Sequence, residues 1–131
     1  MEELKKLADR SIESLKTMQH PVVRVCGPLT TGPHSYDENI KRFAKAEAVL
    51  TAKGYNVFYL DDTENEIKDK HYSWPDIQQY FHEPILRSGL IDMAFFLPDW
   101  QASTGATWEH EIIEKETNIK IEYIEESWLK D

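Results

Sequence analysis

The sequence predicts a single α/β domain, in which helices cover both faces of a parallel β-sheet and an extra helix precedes the first strand. Short β-branched or apolar runs alternate along the chain with segments whose apolar residues recur every three or four positions, as strands and helices do in this fold class. The 131 residues are enough for one domain with a substantial core. We therefore divide the chain into an N-terminal helix, 1–21, and an α/β domain, 22–131.

The first half of the chain alternates between helix and strand. Residues 2–18 place leucines on one helical face, which predicts an amphipathic helix that docks on the domain. Residues 22–26 are typical of a strand, and the helical periodicity of 37–53 ends at Gly54. Residues 55–60 predict a second strand. This order predicts a βαβ unit with a right-handed crossover.

The middle of the chain is polar before it becomes helical again. Residues 63–74 are mostly charged and polar, and they predict a loop. Pro75 suits the first turn of a helix. Pro84 has no N–H to donate, so we expect it to end or kink that helix, and a second short helix is expected over 84–90.

The last third of the chain predicts a strand, a polar turn, a helix and a final strand. The run 93–97 is continuous and apolar, as expected of an inner strand buried on both faces. The turn at 98–105 follows it, and 119–124 form the last strand. Between them, one helical stripe carries Ala106, Glu109, Ile112, Ile113 and Glu116.

Glu109 stands out because periodicity places its carboxylate on the apolar face of this helix. A carboxylate is seldom placed against a core without a partner or a task. Two ordinary alternatives stay open: a solvated surface carboxylate, or a residue that only stabilises the helix dipole. Ser103 and Thr104 stand where the helix begins, so capping is the expected role unless a ligand takes the N–H groups.

Charge and cysteine content limit the partners and the compartment. The net charge of −9 argues against a nucleic-acid polymer or an anionic membrane surface, because both need a basic face. Cys26 is the single cysteine, so no internal disulfide is possible and a cytoplasmic setting is favoured. The sequence shows neither a membrane-spanning run nor a signal-peptide pattern.

The loop after the first strand does not match the common cofactor motifs. Gly27 and Gly32 frame it, but it lacks the Lys-Ser/Thr of a nucleoside-triphosphate loop and the third glycine of a dinucleotide fingerprint. The histidines do not pair with other ligands at a spacing typical of a metal site. We therefore expect neither a cofactor nor a metal.

The predicted sheet belongs to the doubly wound type, which is Rossmann- or flavodoxin-like. Such sheets bind ligands beyond the carboxyl ends of their strands, near the point where the strand order reverses. The loops 27–36, 61–74 and 98–105 meet at this rim, and most of their side chains are polar. A small-molecule site is expected there.

Four short motifs occur in order along this framework. They are Gly27-Pro28-Leu29-Thr30, Asp92, Leu97-Pro98-Asp99-Trp100 and Ser103-x-Gly105-Ala106-x-x-Glu109-His110. Together they resemble the nucleoside 2-deoxyribosyltransferase-like superfamily, which includes deoxynucleoside 5′-monophosphate N-glycosidases. The resemblance covers roughly 22–123 and leaves the N-terminal helix outside.

The resemblance implies a function and a set of site residues. It implies that Glu109 attacks the anomeric carbon of a nucleoside or nucleotide and forms a glycosyl-enzyme intermediate. It also implies that Ser103 helps to hold a 5′-phosphate, that the first loop lies against the nucleotide, and that the chain forms a homodimer. Candidate substrate-binding residues are Gly27, Pro28, Leu29, Thr30, Gly32, Tyr36, Asp61, Asp99, Trp100, Ser103, Thr104 and Gly105.

The chain departs from the family pattern at one place. The family usually has an aspartate about two turns before the position of Asp92, where this sequence has Pro84, preceded by His82 and Glu83. We expect Glu83 or Asp92 to assist Glu109. Base exchange by a deoxyribosyltransferase stays open as an alternative to hydrolysis, and so does a nucleotide-binding or interaction module without catalysis.

Overall fold

A computed structural model gives the fold of the protein and describes residues 2–28, 33–59 and 72–130. The helices described are α1 (Glu2–Lys16), α2 (Tyr36–Ala52), α3 (Trp74–Ile77), α4 (Glu83–Arg87) and α5 (Thr104–Glu116). A π-helical turn, Gln78–His82, joins α3 to α4, and 3₁₀ turns lie at Trp100–Ala102 and Glu126–Leu129. The strands described are β1 (Val22–Cys26), β2 (Asn56–Val57), β3 (Met93–Phe96) and β4 (Lys120–Tyr123).

The four strands form one parallel sheet in the order β2-β1-β3-β4. The chain passes from β1 to β2 on one side and then returns to the other side of β1 for β3, so the strand order reverses between β1 and β3. Cys26 pairs with Phe96 at the carboxyl ends of these two strands. The predicted α/β class, with its parallel sheet and N-terminal helix, is confirmed, and the reversal point lies beside the ends of β1 and β3.

Helices cover both faces of the sheet. On the first face, Val22, Cys26 and Phe96 pack with α1, α4 and α5. On the second face, Val23 and Phe95 pack with α2 and the C-terminal 3₁₀ turn. Because side chains alternate along a strand, Arg24 lies between Val22 and Cys26 on the first face. All of β1 is buried, as an inner parallel strand should be.

The helix boundaries follow from local chemistry. Ser35 caps α2 by accepting a hydrogen bond from the Glu38 N–H, and Gly54, with φ +96°, follows its C-terminus as predicted. The predicted break at Pro84 takes the form of the π turn, since a proline cannot donate an N–H to the preceding turn. Most of the predicted 63–74 loop lies outside the described residues.

Two expectations need correction. The structure describes β2 only at Asn56–Val57, shorter than the predicted 55–60, whose last residue lies outside the described part. On α5 the predicted stripe is buried except at its end, because Glu116 is exposed and pairs with Arg87 at 2.9 Å. Within the described residues no helix is long and apolar enough to cross a membrane.

Candidate active site

Glu109 lies in the first half of α5 and is buried, with 7% of its surface exposed. Its Oε2 forms an ion pair with Nη2 of Arg24 at 3.2 Å. The Cys26 thiol donates to the same oxygen over 3.8 Å. Both partners come from β1. Because β3 pairs with β1 and the chain continues from β3 into α5, this helix lies over the two residues. The prediction that Glu109 faces the core is confirmed.

Arg24 connects Glu109 to a third buried group, His82, at the end of the π turn. Its Nη2 donates to Nδ1 of His82 at 3.5 Å. A guanidinium has no acceptor, so Nδ1 must accept and the ring proton of a neutral His82 must lie on Nε2. Arg24, His82 and Glu109 are all less than 9% exposed. We call Arg24, Cys26, His82 and Glu109 the buried cluster.

Burial away from water shifts the pKa values of two groups in the buried cluster, Glu109 and His82. Burial raises the pKa of Glu109, and Arg24 and Cys26 offset part of this effect. Burial and the Arg24 charge lower the pKa of His82 to about 3. His82 is therefore neutral at pH 7, and Arg24 is the cation that favours the ionised form of Glu109.

An aromatic wall stands beside the buried cluster. The Trp74 ring lies 5.9 Å from the His82 ring and 6.3 Å from the Trp108 ring, both at inclined angles. A Cβ on Gly105 would lie 3.0 Å from the Trp74 indole, so any larger residue would push this ring outward by a few tenths of an ångström. The close approach of the wall to α5 therefore uses a glycine in the first turn of the helix.

Ser103 is the N-cap of α5, in line with the capping expectation. Its Oγ accepts a hydrogen bond from the Ala106 N–H at 3.2 Å, and the Ser103 side chain is buried. Thr104 is the first residue of the helix and is exposed. The cap places Ser103 and the start of α5 on the rim, six positions before Glu109.

Neither predicted helper lies with Glu109. Glu83 forms an ion pair with Arg87 at 3.0 Å, and the residue that reaches Arg24 is its neighbour His82. Asp92 binds His20 Nδ1 and the Val22 N–H, each at 2.6 Å, where β1 and β3 begin. The carboxyl ends of parallel strands share the opposite edge of the sheet, so Asp92 lies away from the rim.

A second polar cluster occupies the rim on the α2 side. Asp99 lies 3.6 Å from Arg42 Nη2 and 3.7 Å from His34 Nε2, distances too long for good hydrogen bonds. Within the described part of the chain, both carboxylate oxygens of Asp99 are buried without a hydrogen-bond partner. Arg42 also pairs with Glu126 at 2.8 Å. Asp99 is therefore held near Arg42 and His34 but keeps acceptor capacity.

The other predicted binding residues fall into three groups. Gly27 lies against Leu97, where a Cβ would come within 2.5 Å of that side chain, and Pro28 beside it is buried. Tyr36 is partly buried at the start of α2. The remaining predicted residues of the two outer loops lie outside the described residues; they are Leu29, Thr30, Gly32 and Asp61.

Trp100 packs within the protein. Its ring is stacked on His110 at 4.1 Å, with an angle of 5° between the ring planes. Tyr123 lies 6.3 Å away in a similar orientation, and its hydroxyl hydrogen-bonds to His110. One face of Trp100, a predicted substrate-binding residue, is therefore already covered by a side chain.

Sequence reasoning did not identify Arg24, His82 or Trp74 as site residues, and it gave Cys26 only a packing role. One signal was available for Arg24: a charged residue at the centre of an otherwise apolar strand, where every position is buried. His82 carried no such signal, because its orientation depends on the π turn. Among the described residues, no cluster of three or more His, Cys, Asp or Glu side chains could hold a metal ion.

Comparison with known proteins identifies the family but no activity. A family model described as a domain of unknown function (DUF4406) matches residues 21–123, so the chain belongs to that family. The match covers all four strands and the buried cluster. No curated protein and no solved structure matches the chain.

Proposed function

We propose that this member of the DUF4406 family cleaves the N-glycosidic bond of a nucleoside or nucleoside 5′-monophosphate, with Glu109 as the nucleophile. The observation that carries the proposal is a buried carboxylate, paired with one cation, near the rim where β1 and β3 end. Perturbed carboxylates in such positions are typical of catalytic groups. The resemblance of the rim motifs to N-glycosidases supports the same reaction.

The contacts of Glu109 assign different tasks to its two oxygens. Within the described residues, Arg24 and Cys26 both contact Oε2. Oε1 is then the oxygen that attacks the anomeric carbon. The C–N bond breaks as the C–O bond forms, and the base leaves with the electron pair and takes a proton from water. Water then attacks the anomeric carbon as its bond to Glu109 breaks, which releases the sugar and restores the carboxylate, and the proton that this water loses neutralises the hydroxide left by the first step.

Arg24 is the proposed helper of Glu109 in place of Glu83 or Asp92. Its charge keeps Glu109 ionised before attack, and it stabilises the carboxylate that departs when water hydrolyses the ester. Neutral His82 holds the guanidinium by accepting from Nη2. Ser103 and the N–H groups at the start of α5 are proposed to bind the sugar or a 5′-phosphate.

A second candidate is a nucleotide-binding module without catalysis. The observation that favours it is the Arg24–Glu109 ion pair itself, because a closed pair lowers the nucleophilicity of the carboxylate. The absence of a carboxylate helper beside Glu109, among the described residues, points the same way. Both candidates place the nucleotide at the same rim. We also propose a cytoplasmic location and a homodimer, as the cysteine content and the resemblance imply.

The test is base release from a panel of ribo- and deoxyribonucleosides and their 5′-monophosphates, followed by chromatography. We expect one substrate class to release free base, and Glu109→Gln to lower the rate by at least about 10³-fold because the nucleophile is lost. Glu116→Gln is the matched control, since it removes an exposed carboxylate from the same helix. No release from any substrate, or equal rates for the wild type and Glu109→Gln, would exclude the nucleophile role.

A further inference from the structure

Trp74 is an exposed aromatic residue close to the proposed nucleophile. It is the first residue of α3 and keeps 37% of its surface exposed. Its indole packs on Gly105, which lies one helical turn before Glu109. Residues four apart share a face of a helix, and helical side chains lean toward the N-terminus. Glu109 therefore shares the face of α5 on which Trp74 packs.

The surroundings of Trp74 leave its ring without a stacked partner among the described residues. His82 and Trp108 meet it at 58° and 75°, so they pack against it in tilted and edge-on orientations. In the described part of the chain, the other two exposed large hydrophobic residues have polar partners: Tyr59 bonds to Thr51, and Tyr123 bonds to His110. Trp74 thus combines exposure with packing against His82, a member of the buried cluster.

We infer that Trp74 is a specificity-determining residue, whose indole stacks on the planar base of the substrate. The inference rests on the proposed function, because it places the base beside the sugar that Glu109 would attack. Stacking on tryptophan is favourable for any planar heteroaromatic ring and needs no hydrogen-bond code. The substrate class is then a nucleoside or nucleotide with a planar aromatic base, and a sugar phosphate alone would lack this contact.

The test is ligand binding by the full chain carrying Glu109→Gln, which prevents turnover. Calorimetry compares the best nucleotide of the panel with ribose 5-phosphate and deoxyribose 5-phosphate. Adding Trp74→Leu is expected to weaken nucleotide binding at least about fivefold and to leave the sugar phosphates unchanged. Trp74→Phe keeps a flat ring and should stay within about threefold. Trp128→Phe, at the far side of the second face, is the matched control for loss of an indole.

The outcomes separate this inference from the proposed function. Nucleotide binding that is unaffected by Trp74→Leu, or a loss that is equal for the sugar phosphates, overturns the stacking role and leaves the glycosidase proposal standing. Binding that depends on Trp74, combined with no cleavage by the wild type, supports the stacking role and overturns catalysis. If neither ligand type binds, both proposals fall.

Discussion

Glu109, on α5, and Asp92, just before β3, are both carboxylates that contact β1, but their surroundings give them opposite properties. Burial acts to raise the pKa of both groups. At Asp92 the hydrogen bonds from His20 and the Val22 N–H outweigh burial, so its pKa is lowered. At Glu109 burial outweighs Arg24 and Cys26, and the pKa is raised. Asp92 is therefore held as a structural anion, whereas burial disfavours the charged form of Glu109.

The comparison also separates the two edges of the sheet. Asp92 fixes the beginnings of β1 and β3, where its hydrogen bonds join adjacent strands. Glu109 lies near the other edge, where the strand order reverses and ligands bind in this fold class. The family resemblance made both groups candidates for catalysis. The partners of the two groups, and the end of the strands at which each group lies, favour a catalytic role only for Glu109.

The largest effect expected from this comparison is a loss of stability when the partner of each carboxylate is removed. Arg24→Met leaves Glu109 buried without its ion pair, and we expect a loss of about 3–5 kcal/mol in the free energy of unfolding. His20→Ala removes the partner of Asp92, whose pair is far more exposed, with side-chain exposures of 49% and 38% against 9% and 9% for Arg24 and Glu109. That change should cost less than about 1 kcal/mol.

Urea unfolding at pH 7 measures both changes. The double variant Arg24→Met, Glu109→Met should recover part of the loss, since a buried ion pair replaced by apolar residues of similar size leaves no unpaired charge. Equal costs for Arg24→Met and His20→Ala would show that the Glu109 pair is no more desolvated than the Asp92 pair.

The second prediction concerns acid stability and His82. The pKa of His82 is about 3 in the folded protein and 6.5 in its ordinary state, so the unfolded chain binds more protons between these values. Stability therefore falls as the pH is lowered through this window. His82→Asn keeps an acceptor for Arg24 but does not titrate. We expect the stability of the wild type, relative to His82→Asn, to fall by roughly 2–3 kcal/mol between pH 7 and 4.5.

Urea unfolding at both pH values gives this difference. Glu109 contributes with the opposite sign, because a raised carboxyl pKa makes the folded state gain stability on acidification, but Glu109 is present in both proteins and cancels. Asp92, whose pKa lies below 3.8, loses its contribution only in more acid solution. Parallel pH curves for the wild type and His82→Asn would mean that His82 is solvated.

The fold was largely predictable because it depends on periodicity. The apolar runs of β1 and β3 and the stripe on α5 place strands and helix without knowledge of their neighbours. The same stripe places Glu109 inside. Arg24 was harder to assign, because a strand buried on both faces gives no alternation that tells which face a side chain meets. Its contact with Glu109 also depends on β1 lying beside β3.

Glu83 shows why the helper could not be predicted. In a regular helix Glu83 is the carboxylate nearest to the position of the family aspartate, so it was expected to take over the role of that aspartate. The π turn adds one residue before α4, which changes the helical phase by about 100° and brings His82 to Arg24 instead. Pro84 indicated a break in the helix, but it did not indicate the helical phase of α4 after the break.

The smallest effect tests whether Ser103 does more than cap its helix. Ser35 and Ser103 are matched: each is an N-cap whose Oγ accepts from the N–H three positions later, at 3.2 Å. Ser35→Ala and Ser103→Ala should each cost about 1 kcal/mol in the free energy of unfolding, as measured with urea. Because Ser103 lies at the rim, only Ser103→Ala should also weaken nucleotide 5′-monophosphate binding, by about fivefold or more. Nucleosides without the phosphate should bind both variants alike if Ser103 contacts the phosphate. Equal affinities of the two variants for the monophosphate would show that Ser103 only caps its helix. The case for a functional site at the Glu109 end of the strands, rather than the Asp92 end, would then rest on Glu109 and Arg24.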